Sequence, residues 1–180
     1  TVERASSPPR TEGAAPLVGD PARGPAIEPV LHRGRRTLRL SNLEKPFWPE
    51  EGITKGDLLA YYRDLAPVLV PHLRGRPFTM KRYPDGWQGK HFFQKQAPSH
   101  TPDWVRRVTL PASTRTGERR AIEYVVLDDE LALLWAVGLG CIDLHAGAAR
   151  ADRPDRPDWV VFDLDPADDT GFDAVVEVAL

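Results

Sequence analysis

Two carboxylates one residue apart are the side chains of this sequence best suited to chemistry. Asp163 and Asp165 follow Trp159–Phe162, a β-branched and aromatic run that predicts a buried strand. Because side chains two positions apart share one face of a strand, both acids are expected to point the same way. Two such carboxylates repel each other unless a cation lies between them. Mg²⁺ or Mn²⁺ bound by carboxylate oxygens is a common arrangement in enzymes that transfer nucleotides. The alternative is that the acids merely end a strand before the turn at Pro166.

The charged residues are segregated along the chain. Its 180 residues, 41% of them hydrophobic, are enough for one domain with a core. Residues 73–120 contain eleven Lys or Arg and three acids, whereas residues 121–180 contain fourteen acids and three Arg. A basic segment suits a phosphate backbone and an acidic one suits metal ions, so together they indicate a protein that brings a polyanion to a cation site. Ordinary surface of mixed sign is the alternative.

The composition also indicates which residues fold and in which cellular compartment the protein is expected. Residues 1–36 hold six prolines and four glycines and are predicted to be a disordered linker or tail, which leaves 37–180 as the folded domain. The single cysteine, Cys141, excludes an internal disulfide and a Cys-rich zinc site. With no apolar run long enough to span a bilayer and no signal-peptide pattern, a cytoplasmic protein without a membrane partner is expected.

A candidate anion site lies at the start of a predicted helix. Thr54 and Asp57 form a capping-box pattern that opens a helix, and Pro71 is expected to end it. Helix N-termini attract anions through unpaired N–H groups, so Lys55 in the first turn suits a bound phosphate. Lys45 and Asn42, on the preceding loop, could complete that pocket. Solvated lysines are the alternative.

A predicted hairpin carries aromatic residues beside cations. Residues 78–83 and 90–95 are predicted to be its strands, joined through a Pro-Asp-Gly turn. Adjacent side chains of a strand face opposite sides, so one of Phe92 and Phe93 is expected in the core and the other at the surface. An exposed aromatic beside Lys81 and Arg82 is typical of a base-stacking surface. Two core phenylalanines in an ordinary hairpin are the alternative.

The rest of the chain is predicted to alternate strands and helices. Residues 105–110 and 121–127 are expected to form a strand pair, and a helix should follow the acids at 128–130. A short strand over 141–145 ends in His145, on the same face as Asp143. His145 could contact a nucleotide phosphate or a metal, or serve only as a hydrogen-bonded structural residue. A surface loop over 150–158 and a helix from Gly171 complete the prediction.

An ordered set of motifs, from about Leu38 to the end of the chain, resembles one known family. The motifs are LSNLEK (40–45), TKGD (54–57), LRGRP (73–77), KRYPDG (81–86), FFQK (92–95), LH (144–145) and VFDLDP (161–166). They are similar to the polymerase domain of bacterial DNA ligase D, a member of the archaeo-eukaryotic primase superfamily that works in non-homologous end joining. The resemblance implies an α+β fold, with a mixed central sheet and flanking helices, that forms the N-terminal part of a primase-like nucleotidyltransferase.

The resemblance assigns catalysis and phosphate recognition to separate residues. It implies that Asp163 and Asp165 bind the catalytic Mn²⁺ or Mg²⁺. It also implies that Asn42, Lys45 and Lys55 hold the 5′-phosphate of the downstream strand at a gap or break.

The same resemblance assigns contacts with nucleic acid and nucleotide. It implies that Phe92 and Phe93 pack against DNA and that His145 contacts the triphosphate of the incoming nucleotide. It gives Lys81 and Arg82 only a general phosphate-contacting role.

The implied partners are DNA with gaps or broken ends, NTP or dNTP, the end-binding protein Ku, and ligase and phosphoesterase domains, at the nucleoid.

The family's third catalytic carboxylate comes from a later strand, whereas this chain stops fifteen residues after Asp165. A truncated domain is therefore expected, which binds DNA ends weakly and catalyses little by itself. A non-catalytic binding module for 5′-phosphorylated ends, or a metal-dependent nuclease using the same acids, are the alternatives.

Overall fold

The computed structural model describes residues 26–113, 119–166 and 171–179. Nine strands and three helices lie within these ranges. The strands are β1 (Val30–Arg33), β2 (Arg36–Arg39), β3 (Pro46–Trp48), β4 (Ile53–Thr54), β5 (Phe78–Arg82), β6 (Phe92–Gln94), β7 (Arg107–Ser113), β8 (Arg119–Val125) and β9 (Cys141–Ala146). The helices are α1 (Lys55–Leu73), α2 (Glu130–Gly138) and α3 (Phe172–Ala179).

Strand β5 lies at the centre of a five-stranded sheet. It pairs with β9 along its whole length, with β6 at one end and with β8 at Phe78, while β7 pairs with β8. Two small hairpins, β1–β2 and β3–β4, lie outside this sheet. The predicted α+β class with helices beside a central sheet is confirmed. The sheet was expected to be mixed, but the pairings among the described strands are all antiparallel.

The core lies between the sheet and helices α1 and α2. Residues 131–137 of α2 are all buried, which explains why this short helix is apolar on every side. The predicted capping box is confirmed, since the Thr54 side chain accepts from the Asp57 N–H and Asp57 accepts from the Thr54 backbone. Pro71 does not end α1 as predicted. Pro71 lacks an N–H group and so removes one helical hydrogen bond, but the helix continues for two more residues, to Leu73.

The folded region begins earlier than the sequence predicted. The predicted tail over 1–36 is wrong in its last part, because β1 pairs with β2 and both Ile27 and Leu31 are buried. Residues 1–25 lie outside the described residues. A window rich in proline and glycine gives no sign of two apolar side chains that reach a core formed by distant segments.

The acidic segment is not the buried strand that the sequence predicted. Residues 158–166 form no helix or strand, and Val160, Val161 and Phe162 are 74%, 79% and 80% exposed. A strand needs a partner for its N–H and C=O groups. β9 pairs only with β5 among the described strands, and its outer edge carries no such neighbour. The strand propensity of residues 159–162 therefore predicted a strand, but none of the described strands pairs with these residues.

The remaining elements agree with the sequence. The pair β7–β8, helix α2, strand β9, the loop that follows it and helix α3 all lie where they were predicted. None of the described helices is both long enough and apolar enough to cross a membrane.

Candidate nucleotide and DNA-end site

The N-terminus of α1 is already occupied by the chain itself. The N–H groups of Lys55 and Gly56 each donate at 2.8 Å to carbonyl oxygens of the preceding loop, and that of Asp57 donates to the Thr54 hydroxyl. The expectation that unpaired N–H groups bind an anion here is therefore wrong. An anion near this helix would depend on side chains, helped by the helix dipole.

Lys55 is buried, with 7% of its surface exposed, and its ammonium group donates to the Ser41 carbonyl at 2.9 Å. Burial lowers the pKa of Lys55, and the nearby charges of Lys45 and Arg82 lower it further. Lys45 and Arg82 thus both repel the Lys55 ammonium group, and the three cations form a cluster around it. Such a cluster favours an anionic ligand, because an anion would relieve the repulsion.

Lys45 is fastened to the turn that follows β5. Its ammonium group donates to the Pro84 carbonyl at 2.6 Å and to a carboxylate oxygen of Asp85 at 2.7 Å. Gly86, in this turn, has φ +86°, and a Cβ at this position would lie 3.0 Å from the Phe47 carbonyl oxygen. The turn therefore packs closely on the segment that follows Lys45. Asp85 is largely exposed, so it can leave the ammonium group when a stronger anion arrives.

Asn42 shapes the loop that carries Lys45. It has φ +57°, a left-handed conformation that asparagine tolerates better than most residues, and its carbonyl accepts from the Lys45 N–H at 3.0 Å. The Asn42 side chain is exposed. The structure therefore brings the three residues predicted to bind a 5′-phosphate to one loop–helix junction, although it contains no ligand that tests their role.

Arg82 and Phe92 lie opposite each other in the β5–β6 hairpin. The Arg82 guanidinium lies 5.3 Å from the centre of the Phe92 ring and donates to the Leu139 carbonyl and to Gln94. The positive charge of Arg82 also lowers the pKa of Lys55. An exposed aromatic ring and a cation thus lie together on this face of the hairpin.

The other face of the hairpin carries a second set of residues. Lys81 pairs with Phe93 on β6 and with Asp143 on β9, to which its ammonium group donates at 2.7 Å. The rings of Phe93 and His145 meet edge to face, with their centres 5.4 Å apart. Hydrogen bonding to Asp143 raises the pKa of Lys81. Burial opposes ionisation of Asp143, but hydrogen bonds from Lys81 and Tyr83 outweigh it and lower the pKa of that carboxyl.

The expectation that one phenylalanine of the hairpin is in the core is wrong. Phe92 is 45% exposed and Phe93 is 58% exposed. The reason is that β6 is a three-residue strand that none of the described helices covers on either face. The prediction that His145 shares a face with Asp143 is confirmed by their pairing with alternate residues of β5.

Within the described part of the chain, the two predicted metal ligands make no hydrogen bond or ion pair with the other site residues. Asp163 and Asp165 are exposed, and neither makes a hydrogen bond or ion pair within the described part of the chain. That part also contains no group of three or more His, Cys, Asp or Glu residues placed to hold a metal. Two carboxylates nevertheless suit Mg²⁺ or Mn²⁺, which commonly bind one or two protein carboxylates together with substrate phosphates and water.

Sequence reasoning missed three residues near these sites. It gave no role to Asp85, which pairs with Lys45, or to Tyr83, which donates to Asp143. It also gave none to Arg76, a buried cation beside the acidic segment. The LRGRP motif (73–77) was the signal for Arg76, and it does not distinguish burial from exposure.

An α+β domain with exposed aromatic rings beside cations on two faces of one hairpin is typical of proteins that handle nucleic acid. Residues 54–180 match the family described as "LigD, primase-polymerase domain". The chain therefore belongs to the LigD primase-polymerase domain family.

Relatives and a solved structure agree with this assignment. The chain is 33% identical over 146 residues to the "Multifunctional non-homologous end joining protein LigD" of Mycolicibacterium smegmatis, covering 79% of this chain and 18% of that relative. It is 30% identical to the "Bifunctional non-homologous end joining protein LigD" of Bacillus subtilis, covering 79% of this chain and 22% of that relative. The structure titled "Polymerase Domain from Mycobacterium tuberculosis Ligase D in complex with DNA" matches with a TM-score of 0.58 and 32% identity, over 63% of this chain and 38% of that one. The chain spans about a fifth of the length of the curated relatives it matches.

Proposed function

We propose that this chain provides the DNA-end and nucleotide-binding part of a metal-dependent nucleotidyltransferase that fills gaps at broken DNA ends in non-homologous end joining. The observation that carries the proposal is the arrangement of the β5–β6 hairpin. Arg82 and Phe92 share one face of the hairpin, where the positive charge of Arg82 also lowers the pKa of Lys55, and Lys81 and Phe93 share the other face with His145. Two anionic ligands can therefore bind to opposite faces of the β5–β6 hairpin.

The first side suits the 5′-phosphate of a downstream DNA strand. The ammonium groups of Lys45 and Lys55 and the amide of Asn42 can donate to phosphate oxygens, and Arg82 adds a nearby positive charge. Phe92 offers an exposed ring on which the neighbouring base can stack.

The second side suits an incoming NTP or dNTP. A base or sugar can pack on the exposed ring of Phe93, beside the imidazole of His145. Lys81 supplies a cation for the triphosphate, although its ammonium group must first leave Asp143. This contact with Asp143 holds the lysine in place before the nucleotide arrives.

Asp163 and Asp165 would hold the metal. A bound Mg²⁺ or Mn²⁺ supplies positive charge to the nucleotide phosphates and to the attacking oxygen. In the proposed reaction the primer 3′-oxygen forms a bond to the α-phosphorus, pyrophosphate leaves, and the hydroxyl proton passes to solvent. The chain's own part is to align the nucleotide and the DNA end.

The relatives' names and the family support the repair setting. Non-homologous end joining implies DNA with gaps or broken ends as substrate, Ku as the end-binding partner, and ligase and phosphoesterase domains acting on the same ends at the nucleoid. Each of these partners is part of the proposal.

Primer extension on gapped DNA tests the function. The reaction contains Mn²⁺ and nucleotide, and the downstream strand ends in either a 5′-phosphate or a 5′-hydroxyl. We expect the full-length enzyme that contains this chain to add nucleotides, and to do so more strongly with the phosphate. Asp163→Ala should abolish addition and leave DNA binding within about twofold, whereas Asp155→Ala, which removes an exposed acid of the preceding loop, should change neither.

Other outcomes favour the alternatives. Extension at the normal rate by Asp163→Ala would contradict the role of the acids. Shortening of the labelled strand would indicate a nuclease. The absence of a third acid beside Asp163 and Asp165 in the described residues favours a second candidate, a non-catalytic module for 5′-phosphorylated ends. That module predicts binding that depends on the phosphate but not on metal or nucleotide.

A further inference from the structure

Arg76 is a buried cation between α1 and β5, with 2% of its surface exposed. Its guanidinium donates to the carbonyl oxygens of Gly147 and Ala148, at 3.1 and 3.0 Å, and lies 2.7 Å from a carboxylate oxygen of Asp158. These three partners belong to the chain that leaves β9 and leads to the acidic segment. Arg76 therefore joins the start of the central strand to the segment that precedes Asp163 and Asp165.

Trp159 completes the same contact. The Arg76 guanidinium lies 3.8 Å from the centre of the Trp159 ring, within the range of a cation–π interaction. The N–H groups of Asp158 and Trp159 both point to the Ala148 carbonyl, at 3.1 and 3.3 Å. The backbone is thus folded back on itself at the point where it meets Arg76.

Among the described residues, the hydrogen bonds, ion pairs and ring contacts of this segment end at Trp159. The next three side chains are at least 74% exposed, and Asp163 lies only four residues beyond Trp159. Four extended residues span at most about 14 Å, so the position of Trp159 limits where the acids can lie. Packing alone would not need an arginine here, because apolar residues of similar volume often stabilise a buried site as well as an ion pair does.

We propose that Arg76 is a positioning residue for Asp163 and Asp165, and that it fixes the start of their segment through Asp158 and Trp159. This inference rests on the proposed function, in which the two acids hold the metal. Arg76 itself contacts neither the metal nor the nucleotide in this proposal.

Three variants of the whole chain separate positioning from stability. Arg76→Lys keeps the charge but loses the planar guanidinium that lies over the Trp159 ring, and Asp158→Asn removes the charge of an exposed partner. The matched control is Arg150→Ala, since Arg150 also approaches Asp158, at 3.4 Å, but from the exposed side. Each variant is measured for thermal unfolding, for Mn²⁺ affinity by electron paramagnetic resonance, and for affinity to 5′-phosphorylated DNA. Hydrogen exchange over residues 157–166 reports the order of the segment.

We expect Arg76→Lys to weaken Mn²⁺ binding about tenfold, and Asp158→Asn about threefold, with faster exchange over 157–166. DNA affinity should stay within about twofold of the unaltered chain, and Arg150→Ala should resemble that chain throughout.

If the unaltered chain binds Mn²⁺ and the Asp158→Asn and Arg76→Lys variants bind it equally well, the positioning role is overturned and the proposed function survives. An equal loss of Mn²⁺ and DNA binding would also overturn it, since that result indicates a purely structural role. If the unaltered chain binds no Mn²⁺, the metal role of the acids fails, and this inference fails with it.

Discussion

The rings of Phe93 and His145 meet edge to face, 5.4 Å between centres, on the face of the β5–β6 hairpin opposite Phe92. Two neighbouring aromatic residues thus serve two different surfaces. The proposed function gives the Phe93 surface to the nucleotide and the Phe92 surface to the DNA end.

Alanine at each position should separate the two binding events. Because a base stacked on an aromatic ring contributes about 1–3 kcal/mol, Phe93→Ala should weaken nucleotide binding about tenfold and barely change binding of 5′-phosphorylated DNA. Phe92→Ala should do the reverse. Each variant is the control for the other, and fluorescence anisotropy with labelled nucleotide and labelled DNA measures both. Equal losses of both ligands in both variants would rule out two separate surfaces.

Removing the charge of Asp85 should strengthen binding of a 5′-phosphate. The Asp85 carboxylate forms an ion pair with the Lys45 ammonium group at 2.7 Å, so a phosphate must displace the carboxylate to reach Lys45. Asp85→Asn should therefore tighten binding of phosphorylated DNA a few fold, and Lys45→Ala should weaken it about tenfold. DNA with a 5′-hydroxyl should show neither effect, and Asp103→Asn serves as the exposed control. Weaker binding by Asp85→Asn would mean that this carboxylate assists the ligand.

Lys55 should contribute to both folding and phosphate recognition. Lys55→Met keeps much of the side-chain volume but removes the donor to the Ser41 carbonyl, at a cost of about 0.5–1.5 kcal/mol in the free energy of unfolding. It should also reduce the preference for 5′-phosphate over 5′-hydroxyl DNA. Urea unfolding and competition binding measure the two effects, with Lys90→Met as a surface control. A variant that loses stability but keeps the full phosphate preference would restrict Lys55 to a structural role.

Stability should fall in alkali because of Cys141. Burial raises the pKa of its thiol to about 12 from the ordinary value of 9.0. The unfolded thiol therefore ionises first, so the contribution of Cys141 is fully present below about pH 9 and is lost as the pH rises toward 12. Between pH 8 and 10 the free energy of unfolding should drop by about 1 kcal/mol from this residue. Urea titrations should show a smaller drop for Cys141→Ala, and an identical drop would contradict the shift.

Local patterns predicted the elements that depend on a few neighbouring residues. The Thr54 and Asp57 cap, the hairpin over β5 and β6, and the strand that ends near His145 all follow from capping, turn and alternation rules that operate within a few positions. The seven motifs also identified the family. Short-range signals suffice here because the groups that satisfy one another are close in sequence.

Local patterns failed where a segment depends on a distant partner. The run before Asp163 has strand propensity, but no strand pairs with it in the described residues, and propensity cannot supply that partner. Phe92 and Phe93 are both exposed because none of the described helices covers β6. Ile27 and Leu31 are buried because distant segments form a core beneath them.

By itself, the sequence predicted which residues carry chemistry: the lysines near α1, the aromatic pair, His145 and the two acids. Only the tertiary structure decided how they are grouped, because strand pairing sets which side chains share a face. It put Arg82 and Phe92 on one side of the hairpin and Lys81 and Phe93 on the other. It also revealed the buried contact of Arg76 with Asp158, two residues 82 positions apart whose meeting depends on the whole fold.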